Sequence, residues 1–217
     1  MPRTQPTFCS LARHYALLEH LAFGPRLQQA RVAFVNRLAG LETILILGEG
    51  DGRFLESLLC VNGQARITCI DASRGMTDRA RGRIEATYPE HNYNIDWQCR
   101  DALETIWETG AFDAMVTLFF LDCFTGKDAD RLIRRLGPSA RPGCLWLWTD
   151  FVQPEDRWPA MFARTYQGLL FRFFRWRTGI RARCLPPMHE MMRRNGWHRS
   201  AQRLYLFGTI ESAVWER

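Results

Sequence analysis

The segment Ile44-Leu45-Ile46-Leu47-Gly48-Glu49-Gly50-Asp51-Gly52-Arg53-Phe54 limits the folds open to this chain more than any other part of it. Four consecutive apolar residues predict a strand buried on both faces, and the segment after the glycines has helical spacing. Between them, three glycines at alternate positions predict a sharp turn. Glycine permits positive φ and carries no Cβ, so the backbone there can press against a ligand beside a helix N-terminus. A nucleotide-like ligand suits the turn. A ligand-free strand-to-helix turn is the alternative, but it needs fewer than three glycines.

The same alternation runs down the chain. Apolar strand-like runs at 43–47, 65–71, 93–99, 112–119 and 143–151 alternate with helical stretches at 52–60, 74–88 and 128–136, the pattern of a parallel sheet covered on both faces. Two further runs, 197–204 and 207–215, have the spacing of an antiparallel hairpin. With 217 residues the expectation is one α/β fold: 1–40 as N-terminal lid helices broken at Gly24-Pro25, 41–155 as the ligand-binding core, 156–196 as a cap insertion with a helix, and 197–217 as strands completing the sheet.

Composition excludes several classes. Hydrophobic residues at 47% and charged residues at 24% rule out a disordered or low-complexity chain. No run approaches the ~18 apolar residues of a membrane-spanning helix, and the first residues lack the apolar block of a signal peptide, so a cytoplasmic location is expected. Seven cysteines without a CxxC pair point to reduced thiols, with neither a disulfide framework nor a metal site. Of 29 basic residues only Lys127 is lysine, and the net charge of +6 permits an anionic partner without establishing one.

The ligand is narrowed by what the turn lacks and what it contains. A dinucleotide fingerprint needs a third glycine where Arg53 stands. Glu49 and Asp51 would repel a pyrophosphate but suit a ligand bearing a sulfonium and an ammonium group. Asp71 ends the second strand, where a carboxylate can accept bonds from both ribose hydroxyls or cap the next helix. Asp101 ends the third, as an acceptor for an adenine amino group or again as a cap.

Together, Gly48-x-Gly50-x-Gly52, Cys69-Ile70-Asp71-Ala72-Ser73-Arg74-Gly75-Met76, Arg100-Asp101-Ala102 and the run 111–124 resemble the class I S-adenosylmethionine-dependent methyltransferases. The resemblance covers about residues 41–151. It implies a doubly wound, mostly parallel seven-stranded sheet with an antiparallel C-terminal strand, with S-adenosylmethionine as cofactor and S-adenosylhomocysteine as product. It also implies that Gly48, Glu49, Gly50 and Gly52 lie against the cofactor's methionine part, that Asp71 and Ala72 take the ribose, and that Met76, Asp101 and Ala102 take the adenine. Thr117 and Leu118 would border the sulfonium, and Tyr15 would reach in from the lid. The family often has an acid two residues before the first glycine; this chain has Ile46.

A sulfonium methyl is already electrophilic, so the enzyme's task is alignment and exclusion of water. By resemblance Asp122 lies near the transferred methyl as the candidate base, and Asp150 is a second acid at the same cleft; the five histidines are scattered and none is a candidate. The expected acceptor is a small, apolar or aromatic molecule. Residues 157–189 contain no acid but many arginines, and Arg172, Arg175, Arg177, Arg181 and Arg183 with their aromatic neighbours would also suit an anionic membrane. Methylation of a membrane lipid or quinone is therefore one alternative, and a non-catalytic binding protein of the same fold, favoured by Ile46, is another. No nucleic-acid partner is expected, because the motif of nucleic-acid amino-methylating relatives is missing after the fourth strand.

Overall fold

A computed structural model describes residues 25–152 and 187–217. Seven strands form one sheet: β1 (Thr43–Leu47), β2 (Arg66–Asp71), β3 (Ile95–Cys99), β4 (Phe112–Leu118), β5 (Ala140–Phe151), β6 (His198–Tyr205) and β7 (Ile210–Glu216). Their order is β3-β2-β1-β4-β5-β7-β6. All pairs from β3 to β5 are parallel, whereas β7 runs antiparallel to both β5 and β6. The doubly wound, mostly parallel sheet expected from the sequence is thus the fold observed, and β7 is inserted between β5 and β6 as its antiparallel member.

Strand β1 sits near the centre with every residue buried, which is why it reads as an unbroken apolar run. Its side chains divide between two cores. Ile44 and Ile46 meet Phe54, Leu55 and Leu58 of α2 (Arg53–Val61) and Ile84 of α3 (Arg74–Thr87) on one face. Leu45 and Leu47 belong to the other core, with Leu132, Ile133 and Leu136 of α4 (Gly126–Leu136) and Met191 and Met192 of α5 (Met188–Arg194). Four tryptophans, Trp146, Trp148, Trp197 and Trp215, are fully buried on that second face, with Trp146 and Trp197 edge to face at 5.1 Å. The short α1 (Arg26–Arg31) buries Leu27 and Ala30 against Ile210.

Because both faces of the central strands are covered, charged groups are driven to the strand ends. At the end away from the glycine turn, the Asp113 carboxylate accepts bonds from the Thr43 N–H and hydroxyl at 2.9 and 2.8 Å and from Arg141 at 2.9 and 3.0 Å, tying β1, β4 and the start of β5 together. Burial works against ionisation of Asp113, but Arg141 and Thr43 outweigh it and hold the carboxyl below its ordinary range. The other end carries the glycine turn and the tips of β1 to β5.

Of the expected divisions, most of 1–40 and of 156–196, including the Tyr15 position, lies outside the described residues. None of the helices among the described residues is long and apolar enough to cross a membrane.

Asn62 at the C-terminus of α2 donates from Nδ2 to the carbonyls of both Leu38 and Leu41, each at 2.8 Å. Asn62→Ala leaves those carbonyls without this donor, and urea unfolding should show a loss of about 2 kcal/mol, the scale of two buried hydrogen bonds.

Candidate active site

Three glycines turn the chain from β1 into α2, each with positive φ: Gly48 at 69°, Gly50 at 74° and Gly52 at 89°. They are glycines for different reasons. A Cβ on Gly48 would lie 2.3 Å from the ring of Phe120, just past the tip of β4. One on Gly52 would lie 3.1 Å from the Ala80 backbone of α3. One on Gly50 would meet nothing within 4 Å. Of the three, Gly50 alone faces open space and leaves room for a ligand to approach the backbone.

Its acids also divide. Asp51 is bound to Arg53 at 2.9 Å and lies 3.6 Å from Arg83, so its charge is answered within the protein. Glu49 bends over the start of α2, which has no other side-chain cap, and Oε1 accepts the Leu55 N–H at 3.0 Å. Its other oxygen is buried and has no hydrogen-bond partner. Burial, with some repulsion from Asp51, pushes the Glu49 carboxyl up to about 8.

At the tip of β2, Asp71 reaches across to the turn, where Oδ2 accepts the Gly50 N–H at 3.4 Å and Oδ1 the Ser73 N–H at 2.8 Å. The helix cap that Asp71 might have been is instead Ser73, whose hydroxyl accepts the Met76 N–H. Burial raises the Asp71 carboxyl, with those two N–H groups working against it. Met76 lies half-buried on the first turn of α3, and Ala72 is exposed beside it.

The tips of β4 and β5 bring in the second group of acids. Phe119 takes φ 53°, an uncommon conformation for a non-glycine residue. The chain then bends so that Phe120 packs on Gly48 and Asp122 follows on a short 3-10 turn. The fully buried Asp150 of β5 accepts the Phe120 N–H at 2.9 Å and the Trp148 indole N–H. Asp122 and Asp150 are close enough to repel: burial raises Asp122 to about 6, and burial together with the Asp122 charge raises Asp150 well above its ordinary range. Burial and mutual repulsion therefore both oppose ionisation within this pair. The Cys123 thiol, raised by burial, also senses the charges of Asp122, Asp150 and Asp71, so the two groups of acids lie near one another.

Several expected residues play other parts. The Thr117 side chain is fully buried and its hydroxyl accepts the Trp146 indole N–H at 2.9 Å, so it faces the tryptophan core rather than the crevice. Asp101 binds the Leu103 N–H at 2.9 Å through Oδ1, stabilising its own turn, and Ala102 is buried in the core. Gly52 serves the packing of α2 on α3. Leu118 is half-buried at the end of β4. Phe120 was not legible as a site residue, because its contact with Gly48 depends on the unusual φ of its neighbour. His189 was set aside, yet it lies 2.8 Å from the buried Glu211, which also binds Arg199 at 3.0 Å, one strand beyond Asp150.

With this geometry in place, the match of residues 44–143 to a family described as "Methyltransferase domain" has a physical basis. Those residues, a little under half of the chain, are similar to a methyltransferase domain. An O-methyltransferase family protein from Burkholderia thailandensis is similar in structure, with a TM-score of 0.71 at 18% identity over 96% of this chain and 57% of that one. Magnesium protoporphyrin IX methyltransferase from Synechocystis PCC 6803, solved with bound SAH, has a TM-score of 0.69 at 17% identity over 91% and 86%. The (4+2)-cyclase SpnF has a TM-score of 0.66 at 18% identity over 89% and 80%. These likenesses establish the fold. The chain spans 57% to 60% of the length of the longer O-methyltransferases it resembles. No curated protein matches its sequence.

The methyltransferase domain fits the family's cofactor on its own evidence. Open space at Gly50, a carboxylate at the tip of β2 and an unpartnered acid oxygen in the turn are the features a cationic nucleoside requires.

The raised acids set a pH dependence. An unfolded Asp122 would ionise near 4, but the folded one retains its proton to about 6, so the folded state binds more protons between these values and loses stability as pH rises through the interval. Asp122→Asn should flatten the fall in urea midpoint between about pH 4 and 6, a component of roughly 1–3 kcal/mol.

Proposed function

We propose that the protein transfers a methyl group from S-adenosylmethionine to a small, apolar or aromatic molecule by in-line displacement. This reading is supported by the open Gly50 backbone with Asp71 beside it, and by the nearness of Asp122 and Asp150 to that turn. The bound cofactor would supply an electrophilic methyl on a positively charged sulfur.

The chain's own residues account for the rest. Asp71 is already fixed by the Gly50 and Ser73 N–H groups, so its orientation costs little to set when it meets the ribose. The acids around the crevice favour a cationic ligand. Phe120 and the fully buried Leu121 place an apolar wall between the glycine turn and the second pair of carboxyls, which keeps water from the line of transfer. Asp122, with a carboxyl ionising at about 6, is ionised at neutral pH but basic enough to take a proton from a hydroxyl or amine acceptor. Burial, which withdraws water from the carboxyl, keeps that basicity high.

A second reading, a binding protein of the same fold, has one observation in its favour: Ile46 is fully buried where relatives often carry an acid. The resemblance to SpnF, whose description is that of a cyclase, adds that this fold also carries other chemistry. The membrane-lipid reading depends on Arg172, Arg175, Arg177, Arg181 and Arg183, all outside the described residues.

Calorimetry tests what the first two readings share, cofactor binding, and a transfer assay separates them. S-adenosylmethionine should bind, and Asp71→Ala should weaken it by about 1.5–3 kcal/mol, the value of hydrogen bonds to a charged group. Asp122→Asn should retain cofactor affinity and lose about 100-fold or more in methyl transfer to an acceptor found by screening with labelled cofactor. Cofactor binding with no transfer to any acceptor favours the binding protein, and no binding at millimolar cofactor removes both.

A further inference from the structure

The glycine turn holds an acid oxygen that the fold itself leaves without a partner. Asp51 is committed to Arg53 and Arg83. Glu49 spends Oε1 on the Leu55 N–H, while Oε2 is buried and unpartnered, in a residue next in sequence to Gly50, the glycine of this turn that faces open space. A buried carboxylate oxygen without a partner is costly, and the group avoids that cost by keeping its proton until a cation arrives.

We propose that Glu49 is the acid that receives the cationic methionine end of S-adenosylmethionine, and that it gives up a proton to solvent when the cofactor binds. The inference rests on the cofactor reading above and deepens it. Ile46, buried and uncharged, stands where the family's usual acid would be, so the duty passes three residues along to a side chain that reaches the same turn. The step is a proton transfer only: the Glu49 O–H gives its proton to buffer, and the resulting carboxylate pairs with the ligand's ammonium. No bond of the cofactor changes.

The groups facing Glu49 are consistent with this exchange. Asp51 on the same turn disfavours ionisation, Arg31 of α1 favours it, and the N–H groups of Phe54 and Leu55 at the start of α2 stabilise the carboxylate once formed. Cys69 of β2, on the other side, is a buried thiol held neutral by burial and by the nearby acids. In the free protein the balance leaves the Glu49 carboxyl ionising only at about 8. A ligand bringing an ammonium and a sulfonium adds positive charge where the balance is closest, and the proton leaves.

The test is calorimetry of the whole chain with S-adenosylmethionine at about pH 6.5, where the ligand's own α-amino group, ordinarily near 7.7–8.0, stays protonated. Titration in phosphate and in imidazole, buffers with different ionisation heats, counts the protons released. Wild type should release about one proton per cofactor bound, and its affinity should rise about tenfold from pH 6 to 7. Glu49→Gln should release close to none and show little change in affinity over that range. Should the substitution prevent folding, difference infrared spectra of wild type should show loss of a protonated-carboxyl band on cofactor addition. Binding without proton release, an equal release by Glu49→Gln, or an unchanged carboxyl band overturns the proposal alone. Absence of any binding overturns the cofactor reading and this proposal with it.

Discussion

A side chain that Gly48 does not have holds the crevice together. The Phe120 ring occupies the volume a Cβ there would claim, and this contact brings the tip of β4 against the end of β1. Asp122 and Cys123 stand two and three residues after Phe120, so the position of the second pair of acids depends on how closely that ring can approach. The same contact requires Phe119 to take a positive φ, a strain of about 1–2 kcal/mol that the surrounding packing must offset. Phe119 is held there by its ring contact with Phe151 at 5.3 Å and by Arg31 over its face at 5.1 Å.

Around this contact the protein gathers acids that it does not fully neutralise. Asp113 and Asp51, on or near strand ends, are paired with arginine. Glu49, Asp71, Asp122 and Asp150, at or just past the tips of β1, β2, β4 and β5, are instead raised, chiefly because burial removes water without supplying a cation. That contrast is a charge pattern suited to a cationic ligand: the fold leaves unmet, at one place, the attraction that the cofactor would satisfy. The cost falls on stability at neutral pH, as expected where binding and folding make opposed demands.

Much of the fold was legible because its signals are local. A strand covered on both faces must be apolar throughout, and Ile44 to Leu47 are; helices on either side must bury one stripe, and Leu55, Leu58, Leu132 and Leu136 do so. The local geometry of the candidate site was legible where a backbone needs a special residue or a strand ends on a carboxylate, as with the positive φ of Gly50 and Asp71 beside the turn. It was misread where a side chain's direction depends on its neighbours across the sheet. Thr117 is one residue from the end of β4, but strand alternation turns it to the tryptophan face, and Trp146 claims its hydroxyl. Gly52 fits the motif, yet Ala80 of α3 is the reason for it.

The sequence by itself determined the succession of strands and helices, the glycine turn after β1 and the acids around it, because each follows from periodicity, glycine conformation or motif spacing along a few residues. Tertiary structure alone decided which of those acids are paired and which left raised, which glycine of the turn faces open space, and that the Phe120 ring packs on Gly48. These depend on distances between strand tips up to a hundred residues apart in sequence, and on the withdrawal of water from groups whose surroundings exist only once the sheet has closed around them.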